Sequence, residues 1–551
     1  MRLFCSVKGC SDKPDAELVR ADLFYDGVSH PAIASTKLVS KLFFIGTGLA
    51  VALSLAGCGG GGSSGSAAPP PPTFTDPVLY STAPTASLAS AAEISAVTHH
   101  QLAINGGMLN YTATAGHLTA QSLTGNAPEA SFFYVAYTLD GANAASRPVT
   151  FFYNGGPGSS TVWLHLGSYG PKRLATGDPA TTAPTPFPLV DNAESLLDVS
   201  DLVFVDAVGT GLSEAIAPNV NQTFWGVDAD AAVFRDFVMR YVAANNRATS
   251  PKFLFGESYG TTRSAVLANM LESAGVSIGG VVLQSSILNY NSNCGVVMPL
   301  VSCAGYLPTY GATGAWYGRD NPNPSAAALP AFIAQVRTLA AGQYDPAVIA
   351  FLTMATPPPA ALLQQLAATT GMPLVGWQTH FNMGPDFYQF NLIPGTLIGL
   401  YDARVSAPMG SPLAAQGDPS STFINASFAT AITSYLNTQL QYSNPSSYVL
   451  QSNAILSWNY SHDGQPLPDT IPDLAAALAQ NPKLGVLSVN GYHDLVTPFF
   501  QTERDLARMG PTPNVQQRFY PGGHMTYLDD GSRALEKADL VQFYQSASVA
   551  P

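Results

Sequence analysis

The stretch KFLFGESYGTTRSAVLANMLESA, residues 252–274, decides the fold. Lys252 to Phe255 is a short, nearly all-apolar run of the kind that forms a strand covered on both faces. Gly256-Glu257-Ser258-Tyr259-Gly260 follows, and from Thr261 to Ala274 the apolar positions recur at helical spacing. A serine hydroxyl is a weak nucleophile and must be presented on a sharp turn beside a base. Glycines two residues to either side let the strand and the helix come close enough to make that turn. The five-residue pattern is weak by itself, since Gly61-Gly62-Ser63-Ser64-Gly65 also fits it. Only Ser258 has a strand before it and a helix after it.

Outward from this unit the same alternation continues. Strands are expected at Phe132–Leu139, Val149–Tyr153, Asp201–Asp206, Gly280–Leu283, Gly485–Asn490 and Gln517–Tyr520, and helices at Val227–Asn245, Pro498–Met509 and Ser532–Gln545. Short buried strands alternating with longer helices predict an α/β fold with a mainly parallel central sheet flanked by helices. Between residues 288 and 469 the alternation stops. That stretch is rich in Ala, Pro, Asn and Gln and carries helical segments such as Ala326–Ala341 and Phe423–Leu440, so it reads as a largely helical cap inserted into the core. The organisation is then a leader over 1–57, a tether over 58–75, core over 76–287, cap over 288–469 and core again over 470–551.

A serine nucleophile needs an imidazole to take its proton and a carboxylate to orient that imidazole. In sheet-based hydrolases these follow the serine as acid, then histidine. The strand Gly485–Asn490 runs into Gly491-Tyr492-His493-Asp494, and Gln517–Tyr520 runs into Pro521-Gly522-Gly523-His524. Both polar residues fall at the carboxyl ends of expected strands, the rim where open α/β sheets place ligands. Of the nine histidines only His524 lies beyond Asp494, which makes it the base and Asp494 its orienter. His493 reads as a turn residue and His165, inside an apolar stretch, as a packed one.

The N-terminal part reads as processing signal. Lys37 and Lys41 precede an apolar run, Leu42 to Gly57, that is shorter than the ~20 residues a membrane helix needs. It ends in Leu55-Ala56-Gly57-Cys58 and resembles a bacterial lipoprotein signal, with Cys58 as the lipidation site. The Gly, Ser and Pro run from Gly59 to Pro72 then serves as a tether. The expected product is exported and membrane-anchored, facing the periplasm or the cell surface. Cys294 and Cys303 are the only cysteines beyond Cys58, and in an oxidising compartment they are expected to form a disulfide. With 46% hydrophobic and 11% charged residues the chain is too apolar for a disordered polymer, and a net charge of -13 argues against nucleic acid as a partner. It carries no HExxH, zinc-type cysteine set or phosphate loop, so neither a metal nor an organic cofactor is expected.

Four separated blocks, Phe151–Pro171, Asp201–Ser213, Lys252–Gly260 and Val489–Tyr527, resemble the serine carboxypeptidase family of α/β-hydrolases. The resemblance runs over roughly residues 95–545, the inserted region not matching in detail. It implies a serine-type carboxypeptidase acting through an acyl-enzyme on Ser258, on peptides with a free C-terminal carboxylate. It also implies that Asn154-Gly155-Gly156-Pro157-Gly158-Ser159-Ser160 is the oxyanion and carboxylate loop, with the oxyanion met by the amides of Gly156 and Tyr259. The terminal carboxylate would be met by Asn154, Gly155 and a protonated Glu257. The chain departs from the family at Ser168, where relatives commonly have a second glutamate, and at Ser159, where many have cysteine. The Ser159 change mainly removes a possible disulfide, whereas the Ser168 departure and the unassigned cap leave open another serine acyl hydrolase, such as an esterase, or an acyltransferase. A surface-tethered binding lipoprotein without turnover is the remaining reading. Oligomeric state is not legible.

Overall fold

The apolar runs pair into one large sheet in the computed structural model, which describes residues 74–548 apart from 91, 178 and 180–185. Cys58, the leader and the tether up to residue 73 lie outside the described residues. The main strands are β1 (Ser95–Ile104), β2 (Gly107–Gln121), β3 (Pro128–Leu139), β4 (Val149–Tyr153), β5 (Asp201–Val205), β6 (Lys252–Glu257), β7 (Gly280–Gln284), β8 (Gly485–Gly491) and β9 (Val515–Tyr520). They lie side by side in the order β9-β8-β7-β6-β4-β5-β3-β2-β1, with the two-residue strand Glu214–Ala215 on β3. The six from β9 to β5 run parallel, and β3, β2 and β1 continue antiparallel.

The parallel centre is buried throughout β4, β5, β6 and β7, which is why those strands read as unbroken apolar runs. Helices cover both faces. α2 (Val227–Ala244), α3 (Tyr259–Ser273) and α4 (Ile471–Gln480) enclose a core that includes Phe132, Phe151, Phe234, Phe237 and Leu254. On the opposite face α1 (Val162–Gly167), the helix Pro419–Thr438 and α6 (Asp530–Ser548) pack against Phe152, Phe204 and Phe255. These three phenylalanines stack across β5, β4 and β6 at ring separations of 4.6 and 4.8 Å. α5 (Phe499–Ala507) follows β8.

The edge hairpin β1–β2 was not expected from sequence. Its turn is Asn105-Gly106, both with positive φ (51° and 74°), the two-residue geometry that matches strand twist. The Asn-Gly pair was a legible signal. Its flanks, rich in Ser, Thr, His and Gln, alternate in burial but carry little apolar contrast.

The stretch 288–469 divides by packing. Its earlier helices, from Leu307–Trp316 to Pro385–Asn391, surround their own core of Tyr306, Tyr310, Tyr344, Trp377 and Tyr388. The Tyr388 hydroxyl donates to the carbonyls of Tyr310 and Thr370, both at 2.8 Å, tying separate helices together. Its later helix, Pro419–Thr438, instead joins the sheet-face core. Leu495 and Phe499, just after Asp494, belong to the cap cluster, so cap packing fixes the strand end that carries the acid. Cys294 and Cys303 are disulfide-bonded with Cα atoms 5.2 Å apart, at the entry to the cap. Among the described residues no helix is long and apolar enough to cross a membrane.

The bridge closes a loop with a sequence separation of 9. Chain-entropy reasoning gives it about 2–3 kcal/mol. The double substitution Cys294→Ala, Cys303→Ala is therefore expected to lower the thermal midpoint by about 2–3 °C in calorimetry; an unshifted midpoint would show that the bridge does not stabilise the cap.

Candidate active site

Ser258 sits between β6 and α3 with φ 59° and ψ −127°, a backbone conformation that costs a non-glycine residue about 1–3 kcal/mol. The surroundings enforce it. Its amide donates to the Gln284 carbonyl at the end of β7 (2.9 Å), and the helix begins at the next residue. A Cβ on Gly256 would lie 2.1 Å from the Gly260 carbonyl oxygen, and one on Gly260 would lie 2.9 Å from that of Tyr153. Both glycines of the motif are thus required by backbone packing.

Asp494 and His524 reach the same rim. Asp494 Oδ1 accepts the amides of Val496 (2.8 Å) and Thr497 (2.9 Å), and Oδ2 accepts the Thr497 hydroxyl (2.7 Å). His524 Nδ1 donates to Oδ2 at 2.8 Å. That bond places the proton of the neutral ring on Nδ1 and leaves Nε2, buried and without a hydrogen-bond partner, as the acceptor. Burial would push His524 down, but Asp494 foremost, with Glu257 and Asp418, holds its pKa above the ordinary imidazole value. The His524 carbonyl accepts from Ser285 Oγ (2.5 Å) and Gln284 Nε2 (3.2 Å), which ties its loop to the same β7 end that holds Ser258. Asp494 and His524 are buried, whereas Ser258 is partly open to solvent.

The loop after β4 lies directly on the serine turn. A Cβ on Gly155 would be 2.5 Å from the Tyr259 nitrogen and 2.7 Å from the Gly260 nitrogen. Gly156 follows with φ 102°, outside the range of ordinary side chains. Tyr259 is the first residue of α3, so its amide has no carbonyl one turn earlier in that helix to bond. Asn154 Nδ2 donates to Glu257 Oε1 at 2.7 Å, and Asn154 Oδ1 accepts the Leu164 amide (3.1 Å). Burial pushes Glu257 up to about 7, against the opposing pull of His524 and two hydrogen-bond donors. Ser168 is buried at the end of α1, where its hydroxyl donates to Leu164 O (2.6 Å). The carboxylate that raises Glu257 is Asp494, while Glu536 on α6, pushed by burial to about 7, is itself raised by Glu257.

Several residues that hold this site were not singled out in the sequence. Arg263, fully buried on α3, pairs with Asp230 of α2 (2.7 Å) and donates to the Asn154 carbonyl (2.9 Å). The Tyr259 hydroxyl donates to the same Asp230 (3.3 Å). Asp206, raised by burial to about 7, accepts the Thr161 amide (2.8 Å) and the Tyr448 hydroxyl (2.9 Å). The segment after Tyr448 crosses the loops of the site, bridging Gly211 at Val449 and Ser159 at Gln451, and setting Trp458 edge-on against Tyr259 at 5.2 Å. Nothing in sequence spacing links Arg263 to Asp230 or Tyr448 to Asp206, because each contact joins separate elements.

Both other singled-out histidines are structural. His165 bonds the Tyr137 hydroxyl (2.6 Å) and stacks on Phe204, and burial lowers it to about 3. His493 is buried, with its amide on Gly522 O (3.0 Å) and its pKa lowered by burial. Among the described residues one group has metal-like spacing, His462, Asp463 and Asp473. Both ring nitrogens of His462 are taken, by Asp228 (2.6 Å) and Asp473 (2.8 Å). The Asp473 bond above all raises it to about 9, so the ring is a charged clamp.

Beside His524 an apolar cleft opens between Tyr401, Val405, Phe423, Ile424, Met525 and Leu528. The Tyr401 ring meets the His524 ring edge-on at 5.0 Å. Arg404, paired with Asp402 and Asp529, forms its polar side. A nucleophile turn, a histidine oriented by an acid, a glycine loop packed directly on the turn and an apolar cleft together suit acyl transfer from a substrate carbonyl.

Residues 105–283 match the profile of the serine carboxypeptidase family; the match contains the loop after β4 and the serine turn and ends before Asp494. No curated protein matches the chain. Among solved structures, the prohormone-processing carboxypeptidase of Saccharomyces cerevisiae is 15% identical, covering 79% of this chain and 91% of its own, with a TM-score of 0.50. The proline iminopeptidase of Mycobacterium smegmatis is 14% identical over 82% of this chain and 99% of its own, with a TM-score of 0.33. The carboxylesterase CesB of Bacillus subtilis is 11% identical over 78% and 91%, with a TM-score of 0.35. The first of these shares the fold.

Arg263→Met would leave Asp230 buried without its counter-charge, and denaturant titration is expected to show a loss of about 3–5 kcal/mol. Adding Asp230→Asn should recover part of it. Equal stability of Arg263→Met and wild type would mean that the pair does not hold the site.

Proposed function

We propose, from the premise that the chain belongs to the serine carboxypeptidase family, that Ser258, Asp494 and His524 act as its catalytic triad in releasing C-terminal residues from peptides. Ser258 Oγ attacks the last peptide carbonyl while His524 Nε2 takes its proton, and Asp494 stabilises the imidazolium that results. The amides of Gly156 and Tyr259 receive the oxyanion, and they are fixed before the reaction because Gly155 packs on the turn. His524 then returns the proton to the departing amino acid, and water, activated by the same ring, frees the acyl group from Ser258.

The observation that carries an exopeptidase reading is the Asn154–Glu257 bond, buried beside the triad. A free carboxylate needs donors, and Glu257 offers one only when it is protonated. With its pKa pushed up to about 7 by burial, it is protonated below that value and an ionised, repelling acceptor above it. The apolar cleft beside His524 suits a side chain flanking the scissile bond.

The N-terminal reading continues as part of this proposal: Cys58 carries lipid, and the enzyme works at a membrane surface outside the cytoplasm. The leader pattern ending at Cys58 and the Cys294–Cys303 disulfide support it.

Mass spectrometry of blocked peptides incubated between pH 4 and 8 should show stepwise loss of C-terminal residues, and none when the terminus is amidated; internal cuts alone would defeat the reading. Ser258→Ala should lose at least about 10³-fold in kcat. Because protonated Glu257 is the competent form, kcat/KM on free-acid peptides should fall about tenfold per pH unit above its midpoint near 7. An uncharged ester should lack that alkaline fall.

Cys58→Ser is expected to move the protein from the detergent phase to the aqueous phase on partition. Unchanged partition would remove Cys58 as the anchor.

A further inference from the structure

Glu257 has a second donor that the sequence did not single out. The Tyr527 hydroxyl donates to Glu257 Oε2 at 2.5 Å while Asn154 holds Oε1 at 2.7 Å. Tyr527 lies three residues beyond His524 in the turn Thr526–Leu528 and is completely buried. Its ring is walled in: a Cβ on Gly167 would stand 3.1 Å from Tyr527 Cε2, and the Tyr527 carbonyl accepts from Arg533 (3.3 Å). The neighbouring Thr526 hydroxyl is bonded to Glu536 on α6 (2.5 Å) and receives Gln284 Nε2 (3.0 Å). The turn that carries the phenol is therefore anchored by bonds on both sides of it, and the ring is buried.

We propose that Tyr527 is a positioning residue for recognition of the substrate's terminal carboxylate: by donating to Glu257 Oε2 it fixes the orientation of that carboxyl and governs how readily it carries the proton with which it meets the substrate. The inference deepens the carboxypeptidase reading and rests on it.

The physical argument is a balance around one buried carboxyl. Desolvation favours its neutral form, and Asp494, at the end of β8, acts in the same direction; Glu536 on α6 is the other buried acid nearby and is itself raised by Glu257. His524 from the loop after β9, Asn154 from the loop after β4 and Tyr527 favour the ionised form, since a donor to a carboxylate stabilises its charge. Without the Tyr527 hydroxyl, two of these three remain, and Glu257 keeps its proton to higher pH. The position of Tyr527 also accounts for what the site does without a carboxylate at residue 168. Ser168 is turned to Leu164, and the hydroxyl beside Glu257 comes from the histidine loop instead.

The test is Tyr527→Phe in the full chain, with kcat/KM followed from pH 5 to 9 on a blocked peptide with a free C-terminus and, in parallel, on an uncharged ester. The alkaline midpoint for the peptide should move up by about one pH unit, while the ester profile keeps its wild-type midpoints whatever its rate. In a Glu257→Gln background the alkaline fall should be absent, and adding Tyr527→Phe should move no midpoint. Should Tyr527→Phe fail to fold, 3-fluorotyrosine at position 527, a stronger donor, should move the peptide midpoint downward. A peptide midpoint that stays put in Tyr527→Phe, or in the fluorinated protein, overturns this inference alone. A wild-type enzyme that hydrolyses the ester but never frees a C-terminal residue overturns the carboxypeptidase reading and this inference with it.

Discussion

The site depends on one steric constraint, the approach of two pieces of backbone with nothing between them. The loop Asn154–Gly156 rests on the turn Ser258–Gly260 so closely that a single methyl at residue 155 would collide with two amide nitrogens. Gly256 permits β6 and α3 to meet across the turn, and Gly260 permits the helix to approach the end of β4 at Tyr153. Interiors are packed to near-crystalline density, so an approach of this kind transmits position: wherever β4 and β6 lie, the amides of the loop and of α3 lie with them. β4 and β6 are paired in register, Tyr153 opposite Gly256, which fixes the starting points of both segments.

Charge is arranged around that contact so that little of it is unpaired. Arg263 and Asp230 neutralise each other beneath the turn, and Arg263 also caps the carbonyl of Asn154. Asp494 is surrounded by donors. Glu257 is different. It has donors but no cation bonded to it, and Asp494 lies nearby, so its charge, like that of Asp206, is costly. A group whose ionisation is so finely opposed suits recognition of another carboxylate, because the approach of a second negative charge tips it to the neutral, donating form.

The cap contributes more than a cover. Its core includes Leu495 and Phe499, the residues that follow Asp494, so the packing of helices far along the chain determines where the acid stands. The same holds for the segment after Tyr448, clamped by His462 between Asp228 and Asp473 and laid across the loops of the site. Substrate access, acid placement and turn support thus share side chains, and the inserted region cannot be treated as separate from the chemistry.

The sequence by itself determined the parallel strands, the helices that alternate with them, the serine turn and the order of acid and histidine, because each is encoded within a short window: an apolar run, a glycine spacing, a polar residue at a strand end. It left the β1–β2 hairpin unread, since Ser, Thr and His on its faces blunt the contrast between buried and exposed positions, although Asn105-Gly106 marked its turn. Asn154 and Glu257 could be named through family resemblance, but their mutual bond could not be derived from spacing, at a sequence separation of 103. Only the tertiary structure decided which donors surround Glu257, that Tyr527 and not residue 168 is among them, and that Arg263 supports the loop from below. These are contacts between side chains from elements distant in the chain. A linear pattern carries no distance between such elements; folding of the sheet and the packing of its helices supply it.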